Sequence, residues 1–292
     1  ADSVFTQRHP EVAGCFFYLM TMHNDYPQHT LNLDRTALTF QDAGQSPACL
    51  LLVHGSLCDF RFWRWQLPDL SASLRVIAPG LPAYDATPPQ SSGEEAHFSI
   101  AQHATDMFTL MDHLGIDHFA VLGHSRGGRI AAEMATRRPD RVTHLLLADP
   151  GLGSVLPEDS MPALPYRDLA LAAYENGDTD AALEIFIDGV SGAGTWKRMV
   201  SWFKAMTRDQ AATLPLIIRE PLYELNPARI NEYGIPVTLI GGSDSPVPFP
   251  AILDALEQQF KHASRHTLTP ASHGLNLALP HAFNQIILQA LG

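Results

Sequence analysis

The chain alternates short, nearly continuous apolar runs with longer stretches in which apolar residues recur every three or four positions. Ala48 to Val53, Phe119 to Leu122, Val142 to Ala148 and Pro236 to Ile240 are dominated by apolar residues, as expected of strands covered on both faces of a sheet. Arg75 to Ala78, stopped by Pro79-Gly80, and Arg265 to Thr269 read as shorter strands. His29 to Leu33 and Thr36 to Phe40 alternate instead, with Asp34-Arg35 as the turn between them. Phe62, Trp63, Trp65 and Leu67 suit a helix or turn lying on the sheet. Ser99 to Leu114 has helical spacing through Ile100, Ala104, Met107, Phe108, Met111 and Leu114, with Ser99 as cap and Gly115 as stop. Arg126 to Arg137 reads as a helix rich in small residues, and Pro280 to Leu291 as an amphipathic helix through Phe283, Ile286, Ile287 and Leu291.

Strands alternating with helices predict an α/β fold: a mostly parallel central sheet with helices on both faces. From about Leu152 to Arg229 the alternation stops. Short helices are expected there over Asp168 to Glu175, Thr179 to Val190, Thr195 to Thr207 and Arg208 to Ile218. An all-helical insertion between two sheet strands reads as a lid over the carboxyl edge of the sheet. The expected organisation is an N-terminal extension (1–28), a core (29–151 and 230–292) and a helical cap (152–229). No internal repeat or low-complexity linker is visible. The apolar stretch Val12 to Met22 is too short to span a bilayer and, although Arg8 and His9 precede it, lacks the strongly basic leader and clear small-residue cleavage site expected of a signal peptide. It is expected to pack on the domain.

With 46% hydrophobic and 17% charged residues the composition is globular. The net charge of −12, from 31 acidic against 19 basic residues, argues against a nucleic acid or anionic membrane partner. Cys15, Cys49 and Cys58 form no paired framework and have no zinc-like spacing. A reducing, cytoplasmic setting is therefore expected, with no metal and no cofactor.

The chemistry concentrates at Gly123-His124-Ser125-Arg126-Gly127-Gly128, set between an expected strand and an expected helix. That context gives a G-x-S-x-G match its meaning. The glycines permit a turn so tight that Ser125 is lifted off the strand end and exposed as a nucleophile. A serine hydroxyl needs a base. His273, in Pro270-Ala-Ser-His-Gly-Leu, follows the last strand and would hang over the same sheet edge, whereas His266 lies within that strand and His281 starts the final helix. A carboxylate must orient the imidazole. Asp244, in Leu239-Ile-Gly-Gly-Ser-Asp-Ser-Pro, and Asp149, in Leu147-Ala-Asp-Pro-Gly, both fall between Ser125 and His273 in the chain. Asp244 is the preferred candidate, because Asp-Pro chemistry gives Asp149 a ready role as a turn residue opening the lid. The amides of Arg126 and of Ser56, in His54-Gly55-Ser56-Leu57, are the candidate oxyanion donors.

These residues resemble the α/β-hydrolase superfamily from about Thr30 to Leu291, through LLVHGS, RVIAP, FAVLGHSRGG, VTHLLLADP, VTLIGGSD and SHGLNLALPHAFNQII in that order. The resemblance implies Ser125 as nucleophile, Asp244 as acid, His273 as base, oxyanion amides from Ser56 and Arg126, and a helical cap. Dehalogenases and epoxide hydrolases of the superfamily use an aspartate nucleophile, against which Ser125 stands. One stretch departs from the pattern. After RVIAP, relatives commonly carry Asp, a Gly-His-Gly-like turn and Ser, where this chain has Gly80-Leu-Pro-Ala-Tyr-Asp85-Ala-Thr87. That loop bears on substrate shape more than on reaction type. The expected function is hydrolysis of a carboxylic ester or lactone through an acyl-enzyme. The same set could cleave a carbon–carbon bond in a diketone or dienoate, and a non-catalytic small-molecule receptor is the reading from another class. Tyr166, Tyr174, Trp196, Met199, Trp202 and Phe203 suggest a small, largely apolar substrate, although packing of the cap's own core accounts for most such residues.

Overall fold

A computed structural model describes residues 26–34, 36–83 and 98–292. The Val12 to Met22 segment, Cys15, Arg35 and the Tyr84 to Thr87 stretch lie outside the described residues. Among the described residues eight strands form one sheet: β1 (Gln28–Asn32), β2 (Ala37–Ala43), β3 (Cys49–Val53), β4 (Arg75–Pro79), β5 (Phe119–His124), β6 (Val142–Ala148), β7 (Val237–Gly242) and β8 (Ala263–Leu268). Their order is β1-β2-β4-β3-β5-β6-β7-β8. β2 runs antiparallel to both its neighbours, β1 and β4, and every later pair is parallel.

The continuous apolar runs divide by parity between two cores. Leu51, Val53, Val121, Leu145, Leu147 and Leu239 face one layer, which contains the helices Ile100–His113, Arg126–Arg137 and Phe249–Gln259. Leu50, Leu52, Leu122, Leu146 and Ile240 face the other, closed by Trp63, Leu67 and the C-terminal helix Pro280–Leu291. Each such fully buried side chain contributes about 1.5–3 kcal/mol, so both faces of the parallel sheet must be covered. Ser99 caps its helix as expected, its hydroxyl accepting from the Gln102 amide at 3.1 Å.

Between β6 and β7 the described chain is helical: Pro165–Glu175, Thr179–Ser191, Thr195–Arg198, Ser201–Asp209, Leu214–Arg219 and Pro227–Glu232, with short 3-10 turns. Leu183, Phe186, Trp196, Leu214 and Ile217 form a third core there, with Leu57 from the loop after β3. The expected helix from Thr195 to Thr207 is broken at Met199 and Val200, both extended. The break lets Trp196 face this third core while Phe203 joins the sheet-side core. The expected Arg208 to Ile218 helix likewise restarts at Leu214, where Pro215 occupies a first-turn position that has no need of its missing N–H. No described helix is long and apolar enough to cross a membrane.

Candidate active site

The turn after β5 is as tight as the sequence requires. Ser125 sits at φ 54°, ψ −118°, a region that costs a non-glycine residue of order 1–3 kcal/mol. A Cβ on Gly123 would lie 2.2 Å from the Gly127 carbonyl oxygen, and one on Gly127 would lie 2.2 Å from that of Val53. The strain is held from outside. The Ser125 amide donates to Ala148, and its carbonyl accepts from Gly128 and Gly151. Ser125 is thereby left half-exposed at the N-terminus of Arg126–Arg137, where first-turn amides have no helical acceptor and the dipole favours negative charge.

The loop after β3 closes on this turn. A Cβ on Gly55 would meet Ser125 Cβ at 3.0 Å and His124 Nδ1 at 2.9 Å, so only glycine lets the Ser56 backbone come alongside the serine. His54 braces this loop. Its Nε2 accepts from the Leu81 amide at 3.0 Å, which leaves Nδ1 to donate to the Gly55 carbonyl at 2.8 Å. Burial pushes its pKa down to about 4, only partly offset by that carbonyl, so the ring is neutral.

His273 follows β8 and is 5% exposed. Its ring stacks on Phe249 at 4.0 Å and lies 4.6 Å from the ring of His124. His124 Nε2 donates to the His273 carbonyl at 2.8 Å, and Ser272 Oγ donates to Ser191 of the helical segment at 3.1 Å. Burial, and the nearby His273, hold His124 well below its usual pKa.

The carboxylate beside His273 is Asp149 and not the expected Asp244. His273 Nδ1 lies 3.4 Å from Asp149 Oδ2, at the long end of a hydrogen bond. Asp149 is fully buried at φ 38°, and the same oxygen accepts the Ser245 hydroxyl at 2.5 Å. Asp244 is exposed, and among the described residues its carboxylate takes only the hydroxyl of its neighbour Ser243, at 2.9 Å. The turn after β7 closes from the Ser245 amide to the Gly242 carbonyl at 3.2 Å. That closure puts Asp244 on the outer corner and turns Ser245 inward, towards Asp149.

Ser56, Ser125, Arg126 and His273 all line one cavity of about 820 Å³, together with Tyr166, Phe186 and Trp202 from the helical segment. Among the described residues no hydrogen bond joins Ser125 Oγ to the His273 ring, whose Nδ1 faces Asp149. With Nδ1 facing Asp149, the remaining nitrogen of His273 is Nε2. Of the other candidates from this segment, Met199 and Phe203 also line the cavity, whereas Trp196 and Tyr174 pack in the third core. Cys58 lines the cavity too, but burial pushes its thiol pKa up and keeps it protonated.

Several contributors went unread in the sequence. The Arg126 side chain grips Glu220, with Nη2 2.5 Å from Oε1 and Nε 2.9 Å from Oε2. This nearly dry pair joins the elbow to the helical segment. Phe249 belongs to a helix whose apolar spacing (Phe249, Ile252, Leu253, Leu256) was there to be found. Glu220 and Ser245 carry no local signal. Among the described residues no group of three or more His, Cys, Asp or Glu could hold a metal ion.

A strained serine between strand and helix, facing a histidine loop across a parallel sheet edge, defines the nucleophile-elbow class of α/β protein. The model of the alpha/beta hydrolase fold matches residues 49–182, and over that stretch the chain is similar to this family. It is similar to the dihydrolipoyllysine-residue acetyltransferase component of the acetoin cleaving system of Cupriavidus necator, 30% identical over 126 residues, covering 43% of this chain and 33% of the relative. The chain thus spans about a third of the length of the curated relatives it matches. Among solved structures it is similar to a hydrolase from Pseudomonas aeruginosa PA01 (TM-score 0.74, 21% identity, 92% of this chain and 100% of that one). It is also similar to the enol-lactonase from Burkholderia xenovorans LB400 (TM-score 0.73, 18% identity, 90% and 99%). At those identities the likeness speaks for the fold.

Proposed function

We propose that the protein is a serine hydrolase that cleaves a carboxylic ester or lactone of a small molecule through an acyl-enzyme. The carrying observation is that Ser125 and His273 line one cavity, with a buried carboxylate, Asp149, on the far side of the imidazole. Asp149 selects the tautomer with its proton on Nδ1, so Nε2 is free to take the Ser125 proton and return it to the leaving group. The acyl carbonyl oxygen, as it gains charge, is held by the amides of Ser56 and Arg126 at the positive end of the elbow helix. Water then attacks the acyl-enzyme with His273 again as base. In this reading residues 152–229 form a cap over the sheet edge, and the apolar walls favour a largely apolar substrate body.

The test is a fluorophosphonate probe and a panel of short acyl esters, lactones and diketones. The probe is expected to label wild type at Ser125, and Ser125→Ala to lose both labelling and at least ~10³-fold of ester hydrolysis with an unchanged melting temperature. An unlabelled wild type, or full activity in Ser125→Ala, overturns the proposal.

A further inference from the structure

The cavity holds an unbalanced positive charge. In a chain of net charge −12, four arginines line it, Arg126, Arg129, Arg167 and Arg198, and Glu220 is the one acid among the described lining residues. Glu220 is committed to Arg126 through two hydrogen bonds, while its nearest approach to Arg129 is 3.6 Å, at Nη1. Arg167 spends Nη2 on the carbonyls of Ile217 and Ile218, and Arg198 spends its own on Ala193 and Thr195. Arg129 differs. Its Nε donates to the Gly151 carbonyl at 2.5 Å, and among the described residues neither Nη makes a hydrogen bond. Burial pushes its pKa down to about 10; Glu220 offsets part of this, and Arg126 and Arg167 add like-charge repulsion. A second anion at this spot would relieve that repulsion and satisfy the planar fork.

The position is close to the chemistry. Arg129 is four residues, one helical turn, past Ser125. A Cβ on Gly151 would lie 3.3 Å from Arg129 Nε and Nη2 and 3.5 Å from the Ser125 carbonyl carbon, so guanidinium and elbow flank the same glycine. One short molecule can reach both.

We infer that the substrate is an ester or lactone carrying a carboxylate a few bonds from its scissile carbonyl, and that Arg129 receives that carboxylate. This rests on the hydrolase reading above. The carboxylate anchors the apolar body with the carbonyl towards Ser125, so Arg129 sets specificity and takes no part in bond making.

Two arms separate this inference from the reading beneath it. In the first, kcat/KM is compared for the 4-nitrophenyl hemiester of adipic acid and for 4-nitrophenyl hexanoate, its uncharged counterpart. Wild type is expected to prefer the anionic ester at least tenfold, Arg129→Met to erase that ratio, and Arg129→Lys to keep part of it. In the second, calorimetric binding of monomethyl and dimethyl adipate to Ser125→Ala protein needs no turnover. The monoanion is expected to bind at least tenfold tighter, and adding Arg129→Met should remove the difference. Absence of hydrolysis of either ester counts against the hydrolase reading, while the binding arm still reports on Arg129. No preference for the anion in the binding arm, or a preference that survives Arg129→Met, overturns the inference. Should Arg129→Met fail to fold, the wild-type ratios and Arg129→Lys decide it.

Discussion

β6 and β7 are neighbours in the sheet, paired from Leu145 with Val237 to Ala148 with Ile240, and an aspartate follows each. Asp149 comes immediately after its strand, its amide still in the ladder and donating to Ile240 at 2.9 Å. Its positive φ then swings the carboxylate under the His273 loop, out of water. Asp244 lies two residues beyond the end of its strand, on the solvent side of a closed turn. A carboxylate that must hold an imidazole works best where the dielectric is low; an exposed one is screened by water and salt. Of two chemically equivalent aspartates, the backbone geometry of the turn decides which one the histidine meets.

Replacing each aspartate breaks the comparison most directly. Asp149→Asn is expected to lower kcat by about 10³–10⁴-fold through the wrong tautomer, while Asp244→Asn stays within about threefold, since an exposed polar group contributes little. Equal losses would mean that the β7 turn rearranges to bring Asp244 inward. Ser245→Ala tests how the two turns cooperate. Its hydroxyl occupies the oxygen that faces His273, and its loss leaves Asp149 with one charge-assisted hydrogen bond fewer. A drop of about tenfold in kcat is expected, with a displaced acid limb of the pH–rate profile. A purely structural role would lower the melting temperature and leave that limb in place.

Acid titration of stability gives the smallest effect. Burial holds His54 at about 4 and His103, repelled also by Arg126, at about 3, against 6.5 in the unfolded chain. Below pH 6.5 the unfolded chain takes up protons that these rings refuse. Stability is therefore fully present above that pH and falls as the pH drops towards 4. Melting temperatures measured from pH 7 to pH 4 should decline by several degrees, in Asp244→Asn as in wild type. A flat profile would show that these rings are not buried neutral.

Much of the core was legible because its signals are local. Uninterrupted apolar runs mark strands sandwiched between layers, and the structure places Leu50, Leu51 and Leu52 on alternate faces. The elbow was legible because the G-x-S-x-G pattern falls within five residues, Gly123 answering a steric demand from Gly127 itself. The helical segment was readable only in outline. Where the chain breaks at Met199 depends on which core claims Trp196 and which claims Phe203, and both cores are assembled from remote residues.

The sequence by itself thus determined the α/β architecture, the strained serine turn and the histidine loop after the last strand, since periodicity, small residues and chain order encode them. The tertiary structure alone decided that Asp149 rather than Asp244 faces His273, that Ser245 leans on that carboxylate, and that Glu220 is spent on Arg126 while Arg129 is left facing the cavity. Those pairings join residues 94 or more positions apart for Arg126 and Glu220, Asp149 and Ser245, and Asp149 and His273. Which partners meet depends on the direction in which each turn leaves the sheet and on what burial leaves uncompensated, and neither is written in any local stretch of chain.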